Sequence, residues 1–212
     1  MVRPIVLSIA GFDPSGGAGL LADIKTIEQC QAYGLGISTA QTLQTEYTFS
    51  SIRWEEENQV LNSVNAMLQS YPVAAVKIGI TPSPDLLEKL VSMIDKKNEG
   101  IKIVWDPVIV SSTGFSFWGH FNEQTVFRAL SKIYLTTPNY HEVTQLVSFG
   151  VDAKSQAAKL SACCHVLLKG GHNEDEPGID YLYSKNGVET LSPRMSEIYP
   201  KHGSGCVLSA AI

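Results

Sequence analysis

IVLSIAGFDPSGGAGLLADIKTIEQCQAY, residues 5–33, sets two periodicities on either side of a glycine-rich break. IVLSIA (5–10) is a short apolar run rich in β-branched residues, which predicts a buried strand. LADIKTIEQCQAY (21–33) places Ile24, Ile27 and Ala32 at helical spacing. The connection AGFDPSGGAG (10–19) holds four glycines and a proline. It reads as a flexible link, or as a backbone that lets a ligand approach closely. Gly17-x-Gly19-x-x-Ala22 imitates a dinucleotide fingerprint, but the first glycine falls well past the strand, and Glu46 is a poor match for the expected acid. Asp23, one turn into the helix, would ordinarily face solvent.

The same alternation continues along the chain. GISTA (36–40), VAAVKIGI (73–80), IKIVWD (101–106), residues 133–136 and HVLLKG (165–170) predict strands. Residues 58–71, with Val60, Leu61, Val64, Met67 and Leu68 on one stripe, predict a helix, as do 84–97, 122–132, 139–148 and 153–163. PDLLEKLVSMIDKK (84–97) opens on Pro and Asp and closes on lysines, as the helix dipole favours. Repeated β-α-β order implies a mostly parallel sheet between helical layers, within a single domain spanning 1–212. Residues 179–192 predict a hairpin around Asn186-Gly187, an antiparallel edge near the C-terminus. On such sheets ligands bind beyond the carboxyl ends of the strands.

Composition narrows the partners. A net charge of -5 and a pI near 5.5 exclude a protein built to neutralise a phosphate backbone, so nucleic acid is not expected. The four cysteines, 30, 163, 164 and 206, make no C-x-x-C or Cys/His spacing, which favours reduced thiols in the cytoplasm. The N-terminus lacks a signal-peptide pattern, and no apolar run approaches the roughly twenty residues of a membrane span.

Polar residues gather at predicted strand ends. Asp106 closes IKIVW, Lys169-Gly170-Gly171-His172 closes another strand, and Asn139 with Glu142 opens a helix after Thr137-Pro138. Asn-x-x-Glu there is first an N-cap with its reciprocal glutamate. It can also hold Mg²⁺ through water. No G-x-x-x-x-G-K-[ST] is present. Gly203-Ser204-Gly205-Cys206 supplies another device: two glycines before the helix-like VLSAAI turn unpaired N–H groups outward, an anion hole. A buried structural thiol is the usual fate of a lone cysteine. At a helix N-terminus, however, Cys206 is expected to have a lowered pKa and to serve as base or nucleophile.

These positions together resemble the hydroxymethylpyrimidine/phosphomethylpyrimidine kinase family of thiamin biosynthesis, within the ribokinase-like superfamily. The resemblance runs from Ile9-Ala10-Gly11-Phe12-Asp13-Pro14-Ser15-Gly16-Gly17-Ala18-Gly19 through Asp23, Gln44, Lys77-Ile78-Gly79, Asp106-Pro107-Val108, Thr137-Pro138-Asn139-x-x-Glu142 and Lys169-Gly170-Gly171-His172 to His202-Gly203-Ser204-Gly205-Cys206. It implies a three-layer α/β/α sandwich and two successive ATP-dependent phosphorylations of an aminopyrimidine, first on its hydroxymethyl group and then on the monophosphate. It also implies Gly11, Asp23, Gln44 and Val108 as substrate contacts, and Asn139 and Lys169 as ATP contacts. Glu142 and Asp106 would serve Mg²⁺, Gly203, Ser204 and Gly205 would form the anion hole, and Cys206 would be the base. Cys206→Ala would then slow phosphorylation of the alcohol far more than that of the monophosphate.

Ser204 stands where the family usually has threonine, Lys201 replaces a small polar residue, and Thr45-Glu46-Tyr47 departs from the usual Asn-Thr. Relatives commonly dimerise and continue for several helices, so a truncated chain with an exposed phosphate site and low activity is expected. Pyridoxal kinase activity, a non-catalytic pyrimidine-binding protein and a dinucleotide-dependent reductase are the competing readings.

Overall fold

The computed structural model describes residues 3–111, 114–148, 150–173, 175–194 and 201–212. Its strands are β1 (Ile5–Phe12), β2 (Tyr33–Gln44), β3 (Phe49–Trp54), β4 (Val73–Ile78), β5 (Lys102–Trp105), β6 (Leu135–Thr136), β7 (His165–Leu168), β8 (Asp180–Ser184) and β9 (Gly187–Leu191). Its helices are α1 (Gly19–Gln29), α2 (Glu57–Ser70), α3 (Pro84–Lys97), α4 (Glu123–Leu130), α5 (Tyr140–Leu146), α6 (Ala153–Leu160) and α7 (Ser204–Ala211), with a 3-10 turn at Gly170–His172. The strands form one sheet in the order β3-β2-β1-β4-β5-β6-β7-β8-β9. Strands β2-β1-β4-β5-β6-β7 are parallel, and both flanks are antiparallel.

The expected hairpin edge is β8–β9, with Ser184 paired to Gly187 across Lys185-Asn186. The edge strand β3 was not anticipated, because FSSIRW lacks strict alternation and its ladder with β2 is irregular near Leu43 and Gln44. The first helix also differs from its expected span of 21–33. It begins at Gly19 and ends at Gln29, and Gln31 takes φ 63. Tyr33 instead opens β2, donating its N–H to Pro4 O at 2.8 Å. The helices expected at 139–148 and 153–163 likewise stop early, at Leu146 and Leu160.

Helix α3 shows how local chemistry sets the boundaries. Ser83 caps it by accepting from Leu86 N–H, Asp85 lies in its first turn, and Lys96 and Lys97 lie in its last. Its stripe of Leu86, Leu87, Leu90, Val91 and Ile94 is fully buried. Each such side chain contributes about 1.5–3 kcal/mol. Residues of α2 to α6 share one large core with the sheet, including Val64, Leu90, Val126, Leu146 and Leu160. On the opposite face, Val104, Leu135 and Leu167 form a smaller cluster against Leu208 of α7. Helix α1 packs beside α7 on that face.

Strand register then places the polar groups. Ser8 pairs with Lys77, and Lys77 with Val104, so these side chains share the α1/α7 face. The chain leaves β1 toward β2 and returns through α2 to β4 on β1's other side. The strand order therefore reverses at β1/β4, and on such sheets ligands are bound beyond the carboxyl ends of the strands at that point.

Candidate active site

The first loop is held in one shape, contrary to the flexible-link reading. Asp13, 1% exposed, accepts from Ser15 N–H at 2.9 Å, Ser15 Oγ–H at 2.8 Å and Ala18 N–H at 3.0 Å. Burial pushes its carboxyl pKa up, but these donors and His202 outweigh it and hold it below the ordinary value.

The turn before α7 lies against this loop. Gly203 has φ 76, and a Cβ there would sit 1.9 Å from Gly17 O, so only glycine fits by both backbone conformation and space. Among the described residues, the N–H groups of Gly205 and Cys206 meet no acceptor, which leaves them open to an anion. The Lys169 ammonium lies beside them, 3.1 Å from where a Gly205 Cβ would stand.

Beneath that turn sits a buried charge cluster. Lys169 Nζ donates to Asp106 Oδ1 at 2.8 Å and lies 3.8 Å from Glu142 Oε2. Thr137 Oγ1 donates to Asp106 Oδ1 at 3.1 Å, and Ser209 of α7 donates to Oδ2 at 3.2 Å. Burial works against ionisation of Asp106, yet Lys169 and Lys77 keep its pKa below the usual carboxylate value. Burial likewise disfavours the Lys169 ammonium, and Asp106 and Glu142 more than compensate. Glu142 is pushed up to about 7 by burial first, with Lys169 opposing and Asp106 adding to the rise. Asn139 and Glu142 form the expected capping box: Asn139 Oδ1 accepts from Glu142 N–H at 2.8 Å, and Glu142 Oε2 accepts from Asn139 N–H at 2.7 Å.

Two expectations are reversed by packing. Asp23 is not solvated but 0% exposed. Its oxygens accept from Lys77 Nζ at 2.9 and 2.8 Å and from Ser8 Oγ–H at 2.6 Å. Burial raises its carboxyl pKa despite Lys77. The Cys206 thiol does not follow the helix dipole downward either. It is pushed up to about 11, chiefly by burial, with Lys77 and the Gly19 N–H opposing and Asp106 and Asp23 adding to the rise.

A model of the phosphomethylpyrimidine kinase family matches residues 13–212. The chain belongs to the phosphomethylpyrimidine kinase family. A hydroxymethylpyrimidine/phosphomethylpyrimidine kinase of Staphylococcus aureus is 30% identical, over all of this chain and 80% of that protein. The crystal structure of phosphomethylpyrimidine kinase from Clostridium difficile superposes with a TM-score of 0.79 at 27% identity, covering 99% of this chain and 88% of that one. A pyridoxal kinase of S. aureus, solved with AMP-PCP and pyridoxal, gives 0.82 at 27%, covering 99% and 79%. The protein is thus a kinase on a ribokinase-like α/β/α fold, and the dinucleotide reductase reading is discarded.

Within this chain, most of the expected site residues converge. Gly203, Ser204, Gly205, Cys206, Asp23, Asp106, Lys169, Glu142 and Asn139 gather at the carboxyl edge around α7. Gly11 is buried beneath the first loop. Val108 is half-buried just past β5, its N–H donating to Asp106 O at 2.8 Å. Gln44 stands apart, at the end of β2 beside the turn into β3. The sequence reading assigned no role to Ser8, Asp13, Lys77, Thr137, His202 or Ser209. A lysine inside the apolar strand VAAVKI was the one local signal that Lys77 needed a buried partner. The His172 side chain lies outside the described residues.

No group of three or more His, Cys, Asp or Glu able to hold a metal is present among the described residues.

Proposed function

We propose that this kinase transfers the γ-phosphoryl group of ATP to the hydroxymethyl group of 4-amino-5-hydroxymethyl-2-methylpyrimidine, and then a second one to the resulting monophosphate. The observation that carries this reading is the α7 turn, whose open N–H groups stand beside Lys169 and its partner Asp106 at the carboxyl ends of β7 and β5. Phosphoryl transfer needs positioning and charge neutralisation more than covalent help. Gly203 to Cys206 receive the transferring phosphoryl oxygens, and Lys169 and Asn139 meet the nucleotide phosphates. Glu142 and Asp106 are the carboxylates that would hold Mg²⁺ through water, and the ion would offset phosphate charge there. Glu142 retains Oε1 for this, while Asp106 is already engaged by Lys169, Thr137 and Ser209.

The ring is placed under the first loop, against Gly11 and Val108, with Gln44 at the rim. Asp23 reaches the ring only by sharing an oxygen already bound by Lys77 or Ser8. Cys206 is the group positioned to accept the alcohol proton, and it must first lose its own. The four free cysteines suit a reducing, cytoplasmic compartment. No helix among the described residues is long and apolar enough to cross a membrane. A homodimer is the expected assembly, which sedimentation velocity tests.

The deciding experiment incubates the chain with ATP, Mg²⁺ and either the pyrimidine alcohol or pyridoxal, and identifies products by mass. Mono- and diphosphate from the pyrimidine support the reading. Phosphorylation of pyridoxal alone replaces it with the pyridoxal kinase alternative, and ring binding without ATP turnover replaces it with a non-catalytic pyrimidine-binding protein.

A further inference from the structure

His202 immediately precedes the α7 turn, and its Nε2 lies 3.1 Å from Asp13 Oδ2, across 189 positions of sequence. Asp13 is the same carboxylate that gathers Ser15 and Ala18 into the first loop. An ionised carboxylate only accepts, so Nε2 carries the proton in this contact. The imidazole also lies against the loop backbone, where a Cβ on Gly17 would stand 2.9 Å from its Cδ2. The side chains are 16% and 1% exposed, and Nδ1 is buried without a partner among the described residues. One imidazole therefore ties the centre of the first loop to the start of the phosphate turn, and Gly203 rests on Gly17 O directly behind it.

We propose that Asp13 and His202 form a clasp that sets the register between the loop over the substrate ring and the turn that receives the phosphoryl group, making His202 a positioning residue. The inference rests on the function proposed above for its kinetic consequence, though not for the clasp itself. The two segments it joins belong to opposite ends of the chain and to different connections of the sheet. Reacting atoms must meet within about 3–3.5 Å, and a misplacement of about 1 Å costs up to about 10²-fold in rate. A contact that fixes loop against turn therefore acts on kcat. A contact that merely fills space acts on stability alone.

The test compares His202→Ala, His202→Asn and His202→Gln. A glutamine amide nitrogen reaches about as far as imidazole Nε2, while an asparagine nitrogen reaches only as far as Nδ1. Hydrogen exchange across residues 13–19 reads the clasp without reference to activity. His202→Ala and His202→Asn should speed that exchange by about tenfold or more, because the loop loses its anchor on the turn. They should also lower kcat on the pyrimidine alcohol by about 10–100-fold, with KM for ATP within about threefold of wild type. His202→Gln should restore both quantities to within about threefold. Unchanged exchange in His202→Ala, or equal behaviour of the Asn and Gln variants, overturns the clasp. Faster exchange with kcat within about twofold of wild type overturns the positioning role. If the wild-type chain does not phosphorylate the alcohol, the proposed function fails, and the exchange comparison alone decides the clasp.

Discussion

Replacing Cys206 by alanine asks whether a thiol raised to about 11 can serve as base at neutral pH. At pH 7.5 the gap is about 3.5 units, or about 4.8 kcal/mol to form the thiolate at about 1.36 kcal/mol per unit. A positioned general base contributes about 10²–10⁴ in rate, or about 2.7–5.5 kcal/mol. The two magnitudes nearly cancel. Cys206→Ala should therefore slow phosphorylation of the alcohol by no more than about tenfold near neutrality. The wild-type to variant ratio should then widen by about tenfold for each pH unit toward the thiol pKa, as the thiolate fraction grows. The monophosphate is already ionised, so its ratio should stay flat. Initial rates of ADP formation from pH 6.5 to 9.5, at saturating ATP and Mg²⁺ with each substrate, measure both ratios. A ratio on the alcohol above about 100 and independent of pH would refute the reasoning, since the thiol would then be ionised throughout.

Glu142→Gln keeps an acceptor for the Asn139 N–H while removing a buried charge. Because the folded pKa is raised from 4.5 to about 7, the stability linked to this proton is full below 4.5 and lost as pH rises through about 7. Thermal melts should show the variant stabilised at pH 8 by up to about 3 kcal/mol, with little gain at about pH 4, and ATP turnover should fall. An equal gain at both pH values contradicts the buried-charge account. Lys77→Met leaves the Asp23 carboxylate buried without its cation, and urea unfolding should record a loss of about 3–5 kcal/mol. Adding Asp23→Asn should recover a large part of it. Gly203→Ala forces a Cβ to within 1.9 Å of Gly17 O at a φ of 76. It should cut turnover by about 10²-fold or more while far-UV circular dichroism stays close to wild type.

Local patterns carried most of the fold. The apolar stripe of 84–97, its Ser83-Pro84 start and its lysine end gave α3 almost to the residue, because capping and burial there act within one segment. The Asn186-Gly187 turn gave β8–β9 for the same reason. Strand β3 escaped because an edge strand needs only one partner and half a buried face, and FSSIRW shows neither clean alternation nor a continuous apolar run. Helical spacing runs on through Tyr33 in the sequence because the reversal at Gln31 has no glycine to announce it.

At the site, residue identity was legible and environment was not. The motifs marked Asp23, Asp106, Lys169 and Cys206 as one set, and the glycines of 203–206 fixed a turn that an anion can enter. Asp23 and Lys77 lie 54 positions apart and meet only because β4 returns beside β1 under α1. Asp13 and His202, 189 apart, meet only because α7 packs on α1. The sequence by itself therefore determined the alternation of elements, the family and the chemical groups available at the carboxyl edge, all of which depend on local spacing and residue type. Tertiary structure decided which of those groups are charged, paired and aimed. Desolvation and Coulomb interaction depend on what lies within a few ångströms in space. That is why the Cys206 pKa, expected to fall at a helix N-terminus, is instead raised to about 11, first by burial and then by the nearby Asp106 and Asp23 carboxylates.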